Sequence, residues 1–107
     1  HTACRRQRQM CIRDSIVRIY ANGQTPGQNG SIHRDDGDIT FLYYANLEWK
    51  MEYQGHLNFY INREIKETVT YKSNRAVLFS ADMAHCAGAP TDKAKELRVS
   101  LAYKLLE

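Results

Sequence analysis

Apolar and polar side chains alternate in short runs along most of this chain. The runs IVRIYA (16–21), ITFLYYAN (39–46), HLNFYI (56–61), ETVTYK (67–72), RAVLFSA (75–81) and LRVSLAYKLL (97–106) are rich in Val, Ile, Tyr, Phe and Thr. Such residues suit a pleated, half-buried surface, and the runs predict six β-strands. Between them NGQTPGQNG, DDGD, Gln54-Gly55, INRE, KSN and GAPTDK carry the Gly, Pro, Asn and Asp chemistry of turns. From residue 16 onward no segment sustains an apolar stripe of helical period, and no internal repeat is visible. Short strands at near-regular spacing predict an all-β sandwich or barrel. Within that class, jelly rolls are the members that most often carry a site in their mouth.

The last predicted strand has two unlike faces. Val99, Leu101, Tyr103 and Leu105 fall on one side, and Arg98, Ser100, Ala102 and Lys104 on the other. Either the apolar face is the core of a sheet whose polar face is solvated, or the polar face lines a ligand-holding interior. In the second case the apolar face needs a cover, and the sequence offers no amphipathic helix to supply one.

Composition narrows the function classes. At 107 residues the chain is one domain, of a size that buries roughly 60 to 68% of its unfolded surface. Its 43% hydrophobic and 25% charged residues are ordinary for a globular fold. No apolar run approaches the roughly 20 residues of a membrane-spanning helix. Arg5, Arg6, Arg8 and Arg13 against Asp14 account for the whole net charge of +3, and the remaining 92 residues carry 11 basic and 11 acidic side chains. The body of the chain therefore lacks the electrostatic footprint that phosphate binding requires, and neither nucleic acid nor a membrane is an expected partner. Residues 1–15, HTACRRQRQMCIRDS, have no strand or helix period and no apolar signal core. They read as an appended tail, resembling translated vector sequence, or else as a disordered basic arm. Three cysteines, Cys4, Cys11 and Cys86, make no paired framework and no zinc-knuckle or redox spacing, which predicts a reducing, cytoplasmic setting.

The chemistry-bearing stretch is GSIHRDDGD. If residues 32–36 are extended, His33 and Asp35 project from one face and Arg34 and Asp36 from the other. An imidazole and one carboxylate leave a divalent metal short of ligands, so a further histidine is needed. His1 lies in the tail and His56 inside a strand pattern, whereas His85 follows RAVLFSA and precedes a turn. Two histidines and a carboxylate on one side of a metal form the facial triad of non-haem Fe(II) oxygenases, with positions left open for other ligands.

These features together resemble the 2-oxoglutarate and Fe(II)-dependent oxygenase superfamily, in particular its prolyl-4-hydroxylase-like branch. The resemblance runs from about Val17 to Leu105. It rests on Tyr20-x-x-Gly23, the His-x-Asp of HRDD, TFLYYAN followed by Trp49, Gly55-x-Leu57, and His85 followed by LRVSLAYKL. It implies a double-stranded β-helix, or jelly roll, in which His33, Asp35 and His85 hold Fe(II). By the same resemblance Arg98 pairs with the distal carboxylate of 2-oxoglutarate, Tyr44 helps to hold that carboxylate, and Tyr20 lines the cosubstrate pocket. Ser100 could add a hydrogen bond or simply fill space. The implied reaction is hydroxylation of an unactivated C–H bond in a protein, peptide or small molecule, a prolyl side chain above all, with release of succinate and CO₂. Ascorbate is a further cofactor that the resemblance suggests.

Two departures from the family pattern bear on the expectation. Gln54 replaces the first glycine of a Gly-Gly turn, and the helices that relatives carry ahead of the first strand have no counterpart in residues 16–107. The chain is therefore expected to be the core of a longer protein, with the missing segment of its own chain as a partner. Two rivals stand beside the oxygenase: a non-catalytic jelly-roll binding module, and a cupin-type metal dioxygenase that does not use 2-oxoglutarate. Arg98 separates them, because neither rival pairs a facial triad with a guanidinium on the last strand.

Overall fold

A computed structural model describes residues 16–106 of the chain, so the tail 1–15 lies outside the described residues. The described part is all-β, with seven strands: β1 (Ile16–Gln24), β2 (Ile39–Tyr44), β3 (Leu57–Ile61), β4 (Glu64–Val69), β5 (Ala76–Ser80), β6 (Ala84–Ala87) and β7 (Arg98–Leu105). One 3₁₀ turn, Met51–Tyr53, precedes β3. The strands form two antiparallel sheets, a larger one in the order β1-β7-β2-β5 and a smaller one in the order β4-β3-β6. This is the arrangement of a β-sandwich.

The core lies between the sheets. Leu42 and Tyr44 from β2 and Phe79 from β5 meet Leu57 and Phe59 from β3, with Tyr71 closing one end and Trp49, Val69 and Val77 packed around them. Phe59 and Phe79 pack edge to face with their centroids 4.9 Å apart, a favoured aromatic geometry.

The two faces of β7 resolve the alternative left open by the sequence. Arg98, Ser100, Ala102 and Lys104 are all buried, and the apolar side chains between them are only half-buried. The polar face points into the sandwich. The outer face of the larger sheet accordingly carries a row of apolar side chains in register, Ile19, Tyr103, Phe41 and Leu78, of which Ile19 and Leu78 are 54% and 65% exposed. Among the described residues no helix covers that face.

The predicted strands hold with a few differences, the first being that β1 runs on to Gln24 through residues predicted as a turn, because they pair with Arg98, Val99 and Ser100 of β7. The hairpin turn after β3 needs only Asn62 and Arg63, both at positive φ, so β4 begins at Glu64 where INRE predicts a turn. The predicted strand 67–72 therefore ends at Val69. β6, predicted as a loop, is a strand because it pairs with β3, Phe59 opposite His85. His56 is not a free surface residue: its Nδ1 accepts the backbone N–H of Tyr71 at 3.0 Å. No helix of the described residues is long and apolar enough to cross a membrane.

Candidate metal centre

After β1 the chain runs along the open edge of the smaller sheet. His33 joins β6 there by an isolated antiparallel bridge to His85, each backbone N–H donating to the other's carbonyl, at 3.0 and 2.9 Å. Two residues on, the Asp35 N–H donates to the Ala81 carbonyl at 2.8 Å. The chain then turns at Gly37, whose φ is +82° and where a Cβ would stand 2.7 Å from the Leu105 carbonyl oxygen. Only glycine fits that turn. The Asp38 N–H closes it on the same carbonyl at 2.8 Å. The His-x-Asp segment is thus tied to β6 on one side and to the end of β7 on the other.

The three predicted ligands converge. One ligand atom from each of His33, Asp35 and His85 lies within 4.8 Å of the others. His33 Nε2 is 3.4 Å from Asp35 Oδ1, and His85 Nε2 is 3.3 Å from Asp35 Oδ2. Ligands on one ion at ordinary bond lengths stand about 3 to 3.4 Å apart. The other ring nitrogens decide the tautomers: His33 Nδ1 lies 2.8 Å from the Ser31 carbonyl and His85 Nδ1 lies 2.8 Å from the Met83 carbonyl. A carbonyl only accepts, so each Nδ1 carries its proton and each Nε2 of a neutral ring presents a lone pair, the usual outer-shell arrangement of a metal-binding histidine. Burial lowers the pKa of His85, against the opposing effects of the Met83 carbonyl and Asp35. Its neutral ring therefore aims a lone pair at a carboxylate oxygen. Acceptor facing acceptor is unfavourable until a cation stands between them.

Asp35 is fixed from its far side. Its side chain is 3% exposed, and burial alone would raise its pKa. Lys104 and Thr40, donating to Oδ2 at 2.6 and 2.7 Å, outweigh that, and the pKa is lowered. The carboxylate is ionised and ready to ligate.

His33 and His85 line a cavity of about 380 Å³ whose walls also include Tyr20, Gln24, Arg98 and Ser100. Arg98 is 1% exposed. Its Nε donates to the Gly55 carbonyl at 2.6 Å and its Nη1 to Gln24 Oε1 at 3.0 Å, while Nη2 has no partner. The guanidinium lies over the rings of Tyr71 and Tyr44, 4.6 and 5.4 Å from their centroids. Burial lowers its pKa and the two tyrosines oppose the shift. Among the described residues no carboxylate pairs with it. A buried guanidinium with an unpaired N–H is costly to keep out of water.

The other predicted residues divide. Tyr20 stands on the cavity wall and so does Ser100. Tyr44 is fully buried beneath Arg98, stacked on Tyr71 at 4.2 Å, and is not among the wall residues. Its hydroxyl has no partner, and burial pushes its pKa up to about 12, against the pull of Arg98. Arg34 and Asp36 are spent on the rim, Arg34 Nε donating to the Asp82 carbonyl and Asp36 pairing with Arg18. Four residues of the site were not foreseen: Lys104, Gln24, Thr40 and Tyr71. Lys104 had a signal, since it shares the inward face of β7 with Arg98. Neither a family model nor a curated protein matches this chain.

Proposed function

We propose that the chain is an Fe(II)- and 2-oxoglutarate-dependent dioxygenase on a jelly-roll scaffold, hydroxylating an unactivated C–H bond of a prolyl or other side chain in a protein or peptide. The observation that carries this reading is one cavity whose walls bring together both imidazoles of the His33, Asp35, His85 set and the buried Arg98 guanidinium, which has no carboxylate partner among the described residues. The strand orders support the scaffold: seven strands and the His33 bridge supply the eight segments of a jelly roll, the larger sheet is built wholly from non-consecutive neighbours, and the smaller one adds β6 to the β3–β4 hairpin.

The donor set fits the metal. Two imidazoles and one carboxylate on one side are the ligands that suit Fe(II) with open positions; His33 and His85 would hold it through Nε2 and Asp35 through its carboxylate. Fe(II) when bound supplies the oxidative chemistry, in which R–H, 2-oxoglutarate and O₂ give R–OH, succinate and CO₂. The protein supplies binding and shelter. Arg98, its guanidinium held by the Gly55 carbonyl and Gln24, would receive the distal carboxylate from the cavity wall, where Ser100 also offers a hydroxyl. Tyr20 walls the metal end and limits water.

On the far side of His33 a separate groove of about 750 Å³ runs between Ile32, Tyr60, Ile61, Arg63 and Met83. It would give an extended substrate access to His33 without passing the cosubstrate. The free, buried thiol of Cys86 agrees with a reducing, cytoplasmic setting.

The test is anaerobic titration of the protein with Fe(II) and then 2-oxoglutarate, followed by the weak visible charge-transfer band of the chelate and by succinate formation in air. His33→Ala and Asp35→Ala are expected to abolish both. Arg98→Ala is expected to raise the 2-oxoglutarate requirement at least tenfold with the metal still bound. Wild-type behaviour of all three variants refutes the assignment.

A further inference from the structure

Lys104 has no part in the reaction proposed above, yet it is among the most buried charges of the molecule. It stands on the inward face of β7, 4% exposed, with its Nζ 2.6 Å from Asp35 Oδ2. A lone ammonium is costly to remove from water unless a counter-charge meets it, and Asp35 is its one ion-pair partner among the described residues. Oδ2 therefore receives Lys104 and Thr40 together, while Oδ1 faces His33. A divalent ion bound by the triad needs the same carboxylate. Two cations within contact distance of one carboxylate in a dry site repel strongly. The ammonium has somewhere to go: it already lies 5.5 Å from the centre of the Tyr20 ring, and both residues line the cavity. The face of an aromatic ring is a favourable seat for a cation.

We infer that Lys104 is a built-in counter-cation of the metal centre. In the metal-free protein its ammonium stands in for the metal's charge, which keeps Asp35 buried, ionised and within ligand distance of both imidazoles. A divalent ion entering the triad displaces the ammonium from Asp35 towards the Tyr20 ring. The metal-free protein is thereby folded with its ligands in place, and metal affinity is set lower than the same three ligands would give alone. The inference rests on the metal reading of the triad, and goes beyond it by giving a non-ligand residue control of occupancy.

The test uses Mn(II) as a redox-stable probe on the whole chain, by calorimetric titration. Lys104→Met keeps the length of the side chain and removes its charge. It is expected to bind Mn(II) at least tenfold more tightly than wild type and to melt at lower temperature in chelator. Mn(II) affinity equal to or weaker than wild type overturns the inference. Should the variant not fold, acylation of wild-type Lys104 by an N-hydroxysuccinimide ester, mapped by peptide mass spectrometry, answers the same question. Labelling at residue 104 is expected to be slow in chelator and several-fold faster at saturating Mn(II), and an unchanged or slower rate overturns the inference. If neither wild type nor Lys104→Met binds Mn(II), the metal reading itself falls and this inference with it. Binding by both without a Lys104 effect removes the inference alone.

Discussion

One methyl group at residue 55 is enough to disturb Arg98. Gly55 sits at φ +77°, and a Cβ there would stand 3.0 Å from Arg98 Cδ and 3.2 Å from its Nε. Gly55→Ala is expected to destabilise the fold by about 1 to 3 kcal/mol through backbone strain, seen as a lower Tm. It is also expected to raise the KM for 2-oxoglutarate without changing metal affinity, because the displaced group is Arg98 and not the triad. The neighbouring Gln54 adopts φ 55° and ψ −128°, a conformation better suited to glycine, so this turn carries local strain. At this scale the sequence reveals residues whose chemistry is distinctive at a fixed spacing. His33 and Asp35 are legible because strand alternation puts them on one face, and Arg98 because it falls on the polar face of β7. Gln24 and Tyr71 are not, because each acts through a contact made by residues far away in the chain.

The strands show where local pattern stops being informative. β7 alternates over eight residues and is read directly, but which face is inside depends on what lies opposite, and the buried face turned out to be the polar one. β6 is four residues, AHCA, with no propensity of its own; its partners β3 and His33 make it a strand, and no local signal could have found it. The turn ahead of β3 offers a prediction of the same kind. His56 joins that turn to Tyr71 by accepting its N–H at 3.0 Å, and burial, then the nearby Arg98, lower its pKa from 6.5. The unfolded chain therefore binds this proton more readily than the folded one. Stability present above about pH 6.5 is lost as pH falls from there through the folded pKa. His56→Asn, whose carbonyl oxygen can accept the same N–H without titrating, is expected to flatten the stability profile between pH 6.5 and 5 relative to wild type. Denaturant midpoints across that range measure it, and identical slopes remove His56 from the account.

At the scale of the molecule, Asp35 is a point where the two sheets are joined. Its backbone is held by Ala81 at the end of β5 and its carboxylate by Thr40 of β2 and Lys104 of β7, all on the larger sheet, while both imidazoles it faces belong to the His33–His85 bridge on the smaller one. A metal ion there would crosslink the layers, so Mn(II) at a hundredfold excess over its Kd is expected to add about 2.7 kcal/mol of stability, a rise in Tm of roughly 10 °C or more for a domain of this size. Asp35→Asn has two consequences that need separating. It removes a ligand, which abolishes the Mn(II)-dependent rise, and it strands a buried ammonium, which costs about 3 to 5 kcal/mol even without metal. The double variant Asp35→Asn with Lys104→Met removes both charges of the pair. It is expected to regain most of the metal-free stability while staying blind to Mn(II), by thermal unfolding with and without chelator. Recovery of stability with no recovery of the metal response assigns the pair to folding and the carboxylate to binding, two duties of one side chain that a single substitution confounds.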